Sequence, residues 1–261
     1  MVTSRSIVAL ALIAVGVNFL TSAAALGGSR VFLSAAAGND ANPNCTPLAP
    51  CRNLPRGLAV VTPGGQIVLM DTGGYGGGMS MTLTSAVQII APDGVQATLT
   101  DNSTNYGGAA LITVAAGPND LVLLRGVQID GITKTGTGIL HHSGRLVVEH
   151  CLFTQLGIGV SAVNAKMDII DSTFTGNAVA VASSGSGTES NGSTTPSVAQ
   201  VRLSAGSIVG NDVAMQMTDP LDNFANIFVM ISNNSAANWT TNVVGNTTAL
   251  NGIGVGCSSS C

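Results

Sequence analysis

Val122-Leu123-Leu124-Arg125-Gly126-Val127-Gln128-Ile129, Leu146-Val147-Val148-Glu149-His150-Cys151-Leu152-Phe153, Met167-Asp168-Ile169-Ile170-Asp171-Ser172-Thr173-Phe174 and Val201-Arg202-Leu203-Ser204-Ala205-Gly206-Ser207-Ile208 are four copies of one eight-residue segment. Their final residues lie 24, 21 and 34 positions apart. The longest gap holds a Ser/Gly/Thr-rich insertion, 183–197, and without its surplus of 13 residues the period returns to 21. Within each copy the first, third, sixth and eighth positions are apolar or small. Five and seven residues later a second alternation follows, in Ile158 and Val160, Val179 and Val181, Val213 and Met215. A period of two makes strands, not helices.

Short strands joined by corners such as Gly176-Asn177 and Gly210-Asn211, recurring about every 21 residues, describe a chain that returns above itself. The expected fold is all-β: a single-stranded right-handed parallel β-helix in which each residue stacks on its equivalent about 4.8 Å away. Two inward ladders follow from the alignment, Ile129/Phe153/Phe174/Ile208 and Leu124/Val148/Ile169/Leu203. Each such side chain contributes about 1.5–3 kcal/mol on burial, so the ladders stabilise the coil without a bulky core. Asn177 and Asn211 share a corner, where Asn tolerates the left-handed conformation, and read as a ladder rather than as ligands.

Composition agrees with thin repeated layers. The 261 residues include 33 Gly, a 45% hydrophobic fraction and only 3% aromatic residues. Charged residues make up 8%, against about 25% in an ordinary soluble domain. A net charge of -4 without a basic run argues against nucleic-acid or anionic-membrane partners. Beyond the first 25 residues no apolar run approaches the roughly 18 residues that span a bilayer.

The first 25 residues read as a secretory signal peptide. Arg5 supplies the positive region, residues 7–17 the apolar stretch, and Ala23-Ala24-Ala25 the small residues for cleavage. The protein is therefore expected to be secreted or periplasmic, in an oxidising compartment where disulfides persist. Cys45 and Cys51, six apart, and Cys257 and Cys261, four apart, are expected to form two local bridges. Cys151 is left over. It aligns with Val127, Ser172 and Gly206 in an inward column and is expected to be a buried free thiol.

The chain divides into the signal peptide (1–25), an N-terminal strand, Cys loop and cap (26–65), rungs (66–232) and a C-terminal cap or tail (233–261). Residues 52–61 are expected to hold a short helix, opened by Pro55, that covers the end of the apolar interior.

The opening carries a more specific pattern. Ser34-Ala35-Ala36-Ala37-Gly38-Asn39-Asp40-Ala41-Asn42-Pro43 is followed by Cys51-Arg52-Asn53-Leu54 and by Pro63-Gly64-Gly65-Gln66-Ile67-Val68-Leu69. This resembles the start of exported bacterial proteins of the pectin-lyase-like β-helix superfamily, over about 45 residues, with Gly73-Gly74-Tyr75 where those proteins end the first rung. The resemblance implies the fold. It implies no single activity, because the superfamily includes lyases, hydrolases, epimerases, tailspikes and adhesins. The hydrolase motifs Asn-Thr-Asp, Asp-Asp, Gly-His-Gly and Arg-Ile-Lys are absent, as are the pectate-lyase and epimerase patterns.

Chemistry-bearing side chains concentrate in three rungs, at Asp130, Lys134, His141, His142, Arg145, Glu149, His150 and Asp171. Uronate elimination needs a basic residue and often Ca2+ held by oxygens. Repeat alignment accounts for most of the cluster as cross-rung pairs: Arg125 with Glu149, Asp168 with Arg202, His150 with Asp171. His141 aligns with inward Val160, Val181 and Met215 and is expected to be a hydrogen-bonded core histidine. His142, Arg145 and Glu149 remain the candidates for a catalytic site. The glycine run 73–78 lacks the Lys-Ser/Thr of a phosphate loop. Asn-x-Ser/Thr sequences at Asn102, Asn191, Asn233, Asn238 and Asn246 reflect composition.

The expected function is binding of an extracellular polysaccharide or cell-surface component by a polar outer face, with no cofactor. One alternative is a polysaccharide lyase or glycoside hydrolase with an atypical site, Ca2+ being needed only for a lyase. The other is a structural or adhesin-like surface module.

Overall fold

The computed structural model describes residues 29–77, 80–101, 110–184, 200–219, 228–232, 235–237, 241–245 and 254–258. The chain opens with β1 (Arg30–Leu33) and one helix, α1 (Leu54–Val60). Strands then recur in threes: β2 (Gly65–Leu69), β3 (Gly73–Gly77) and β4 (Met81–Leu83); β5 (Val87–Ile90), β6 (Ala97–Asp101) and β7 (Ile112–Ala115). Next come β8 (Leu121–Arg125), β9 (Val127–Gly131) and β10 (Thr137–Ser143), then β11 (Arg145–Glu149), β12 (Leu152–Thr154) and β13 (Ile158–Val163). The series continues with β14 (Lys166–Ile170), β15 (Thr173–Thr175), β16 (Val179–Ser184), β17 (Gln200–Ser204), β18 (Ser207–Val209) and β19 (Val213–Asp219). It ends with β20 (Phe228–Ser232), β21 (Ser235–Ala237), β22 (Thr241–Gly245) and β23 (Gly254–Ser258).

Every third strand joins the same sheet. Sheet 1 runs β1-β2-β5-β8-β11-β14-β17-β20-β23, sheet 2 runs from β3 to β21 and sheet 3 from β4 to β22. All named strand pairs are parallel, as for β11 with β8 and β14 and for β12 with β9 and β15. A mostly β chain that visits three parallel sheets in fixed rotation is compatible with a parallel β-helix.

The two ladders read from the repeat are present in register. Leu124, Val148, Ile169 and Leu203 are successive partners on sheet 1, and Ile129, Phe153, Phe174 and Ile208 on sheet 2. All eight are buried. Phe153 and Phe174 stack with ring centroids 4.6 Å apart and planes within 5°. On sheet 3, Ile139, Val160, Val181 and Met215 form a third buried ladder.

The corners turn on single left-handed residues. Gly126, His150, Asp171 and Ala205 have positive φ between sheets 1 and 2, and Gln155, Gly176 and Gly210 between sheets 2 and 3. The left-handed residue therefore precedes Asn177 and Asn211, which were expected to adopt that conformation themselves. The two asparagines do form the expected ladder: Asn177 Nδ2 donates to Asn211 Oδ1 at 2.8 Å and to the Phe153 carbonyl at 3.0 Å. Asn177 Oδ1 accepts the Leu156 amide at 3.0 Å, and Asn211 Nδ2 donates to the Phe174 carbonyl at 2.9 Å. Side-chain amides thus satisfy the backbone groups that the corner frees from the sheets.

The helix begins at Leu54, with Pro55 in its first turn where a missing N–H costs nothing. Asn53 makes no side-chain cap; the Asp40 carboxylate instead accepts the amides of Arg52 at 2.7 Å and Asn53 at 2.9 Å. Gly57 lets the helix lie close on the interior, since a Cβ there would stand 3.2 Å from the Leu33 side chain.

Three sequence expectations need adjustment. His141 is fully buried, but its partners are Val114 and Ala162; the expected alignment with Val160 was two residues out of register, a shift that preserves the face. Ser183 and Ser184 belong to β16, paired with Ala162 and Val163, so the insertion starts later than expected, and 185–199 lie outside the described residues. Strand pairing also continues beyond residue 232, through β21, β22 and β23.

Cys45 and Cys51 are disulfide-bonded, and Cys151 is a buried free thiol. Cys257 lies in β23, opposite Ile231, but Cys261 and residues 1–25, expected to be a signal peptide, lie outside the described residues. Among the described residues no helix is long and apolar enough to cross a membrane.

Candidate functional site

The corner between sheets 1 and 2 is notched. His150 and Asp171 occupy equivalent left-handed positions on successive rungs and carry side chains outward, whereas the rung before them has Gly126. Glycine is required there because a Cβ would fall 2.5 Å from the Ala91 carbonyl oxygen. The missing side chain leaves a shallow groove of about 320 Å³ between residues 94–96, 126–128, His150 and Leu152. Val95 and Leu152 supply apolar surface, and Gln96 Nε2 donates to Gln128 Oε1 at 2.8 Å across the rungs.

His150 forms one wall. Its Nε2 lies 3.0 Å from Asp171 Oδ2 and its Nδ1 3.7 Å from Glu149 Oε1. Both ring nitrogens thus face carboxylates, so the imidazole is held in place by the corner. The expected His150–Asp171 pair is present.

Past the groove lies the outer face of sheet 2. Because inward residues alternate with outward ones, two columns, polar except at Leu152 and Val209, flank the buried ladder. One contains Thr98, Gln128, Leu152, Thr173 and Ser207; the other contains Thr100, Asp130, Thr154, Thr175 and Val209. Asp130 has neither a hydrogen-bond nor an ion-pair partner among the described residues. Partial burial raises its carboxyl above the ordinary value. These columns were not singled out in the sequence. The signal was available in the outward positions of Thr98-x-Thr100, Gln128-x-Asp130, Leu152-x-Thr154 and Thr173-x-Thr175.

The residues proposed from sequence as a catalytic set lie apart. His142 is exposed near the end of β10, on sheet 3. Arg145 and Glu149 are at opposite ends of β11 on sheet 1, roughly 13 Å apart by strand rise. Arg145 lies 3.4 Å from Asp168, whose other oxygen is 3.6 Å from Arg202. The expected Asp168–Arg202 pairing therefore extends to Arg145, which had no partner assigned from sequence. Arg125 and Glu149 are register partners, but the near neighbour of the Glu149 carboxylate is His150. Lys134 is a left-handed residue in the turn after β9.

Two buried titratable groups, Cys151 beside the groove and His141 on sheet 3, are held uncharged. Burial pushes the Cys151 thiol up to about 12, where it is protonated at neutral pH, and Sγ lies 3.3 Å from the Glu149 carbonyl. Burial likewise lowers His141, against the opposing bond of 3.0 Å between its Nε2 and the Lys166 carbonyl. Among the described residues no three His, Cys, Asp or Glu side chains converge as a metal site.

The geometry therefore offers a groove with apolar surface and fixed amide and imidazole groups, next to a mostly polar sheet face that carries hydroxyls. Such a surface pairs with ring faces and hydroxyls. Comparison with family models, with curated proteins and with solved structures finds no match to this chain.

Proposed function

We propose that the chain is an exported right-handed parallel β-helix, similar to the pectin-lyase-like superfamily, that binds extracellular or cell-surface glycans at the sheet 1–sheet 2 corner and the adjoining face of sheet 2. The observation that carries this reading is the Gly126 notch beside the run Thr100, Asp130, Thr154 and Thr175, polar on four successive rungs. Sugar rings present apolar faces and peripheral hydroxyls, and the groove offers complementary groups to both. Right-handed winding is supported by the strong preference of parallel crossovers for that hand. Export is supported by the leader-like first 25 residues and by the Cys45–Cys51 disulfide.

A lyase or hydrolase reading receives less support. It asks for an acid and a base converging on one bond, whereas Arg145 and Glu149 occupy opposite ends of a strand and Arg145 is engaged with Asp168.

A glycan array probed with the purified protein tests the binding proposal. Binding to at least one extracellular polysaccharide is expected, reduced when Gln128→Ala removes the groove's amide or Leu152→Asp places a charge on its apolar surface. Absence of binding to every polysaccharide would contradict the proposal.

A further inference from the structure

The outer faces of sheets 1 and 2 differ in charge. Sheet 1 carries Arg125, Arg145, Lys166 and Arg202 on its outer face, against the two acids Glu149 and Asp168. No described strand residue of sheet 2 is basic, and Asp130 is the acid on its two outward columns. A polyanion would be drawn to sheet 1 and repelled from sheet 2. The hydroxyls of Thr100, Thr154 and Thr175 stand in the same column as the Asp130 carboxylate, at one-rung intervals of about 4.8 Å. From Thr100 to Thr175 the column extends roughly 14 Å along the direction in which strands stack.

We infer that the outer face of sheet 2 is a track for a neutral, linear, hydroxyl-rich polysaccharide lying along the stacking direction, with the Asp130 carboxylate as its central hydrogen-bond acceptor. The inference rests on the glycan-binding reading and narrows it to a class of polymer. A linear chain suits a column because each rung presents a group of the same kind at the same height. A carboxylate bridging sugar hydroxyls makes charge-assisted bonds, stronger than those of neutral acceptors. Asp130 has no partner among the described residues that such a ligand would have to displace. The groove at Gln128 and Leu152 continues the track toward the corner.

Affinity electrophoresis of the full chain tests this, using gels that contain a neutral glucan, a neutral mannan or polygalacturonate. Retardation by a neutral polymer is expected. Asp130→Ala should weaken it about tenfold or more, Asp130→Asn should restore part of it, and Thr154→Val should weaken it severalfold, in line with bonds to charged and neutral groups. Lys166→Ala should leave it unchanged. Circular dichroism of each variant controls for folding, which outward substitutions leave intact. Retardation only by polygalacturonate, abolished by Lys166→Ala, would overturn the inference while sustaining glycan binding on another face. Neutral-gel retardation that survives both Asp130→Ala and Thr154→Val would also overturn it. No retardation in any gel would overturn this inference, and the glycan array then separates its failure from that of the broader glycan-binding reading.

Discussion

Asp71 ties the N-terminal cap to the first rung. Its carboxylate accepts Ser34 Oγ at 2.6 Å, the Ala35 amide at 2.6 Å, the Ala36 amide at 3.2 Å and the hydroxyl of fully buried Tyr75. Desolvation opposes ionisation, but these four donors outweigh it and hold the carboxyl at about 2. His141, two rungs on, is held neutral by burial. Both shifts act in the same direction on acid stability. A histidine lowered in the fold takes up its proton first in the unfolded chain, so its contribution is complete above about pH 6.5 and declines as pH falls below it. A lowered aspartate contributes fully above about pH 3.8 and is lost as pH falls toward about 2. The urea midpoint is therefore expected to fall in two stages on acidification, the upper one removed by His141→Leu and the lower one reduced by Asp71→Asn, with Asp40, lowered against desolvation by its bonds to Asn53 and Arg52, keeping a share. A midpoint constant from pH 7 to pH 3 would refute this.

At the scale of the element, corners determine where each strand ends. Asn177 is buried and joins three elements through its bonds to Leu156, Phe153 and Asn211. Asn177→Ala leaves a backbone amide and a carbonyl without these partners, and each unsatisfied buried group costs about 1–3 kcal/mol. The variant should lose at least about 2 kcal/mol in chemical denaturation; a loss below 0.5 kcal/mol would mean that the ladder is ornamental, since about 1 kcal/mol is the usual effect of a point change. The eight-residue repeat made the buried ladders legible, because inward positions must be apolar on every rung. Corner chemistry was harder to read. Gln155 adopts a left-handed conformation that its residue type seldom takes, and His150 and Asp171, which take it more readily, carry no sequence mark that sets them apart from extended residues. The same limit hid the His141 register, since a slip of two residues exchanges one inward apolar position for another.

Across the whole molecule, the periodic outer face follows from the same register that builds the interior. If Phe153 lies over Phe174, then Thr154 lies over Thr175 and Asp130 over Thr154. The arrangement of the candidate site was therefore implicit in the repeat, but its position was not. The groove depends on Gly126 lacking a side chain where the next rungs have His150 and Asp171, and that contrast becomes meaningful only once the corner is known to be one column. The separation of His142, Arg145 and Glu149 has the opposite cause. They are close in sequence, but a strand carries its ends apart and a corner sends neighbours to different sheets.

The register is tested most directly by disulfide trapping on the outer face of sheet 2. Thr154→Cys with Thr175→Cys places two thiols on register partners, within the Cα separation of about 4.4–6.8 Å that a disulfide spans. Thr154→Cys with Thr173→Cys places them on a diagonal of roughly 8 Å. Mild oxidation of the folded protein should cross-link the first pair rapidly and leave the second reduced. Equal cross-linking of both pairs, or of the diagonal pair alone, would contradict the stacked three-sheet architecture and the polar columns it generates.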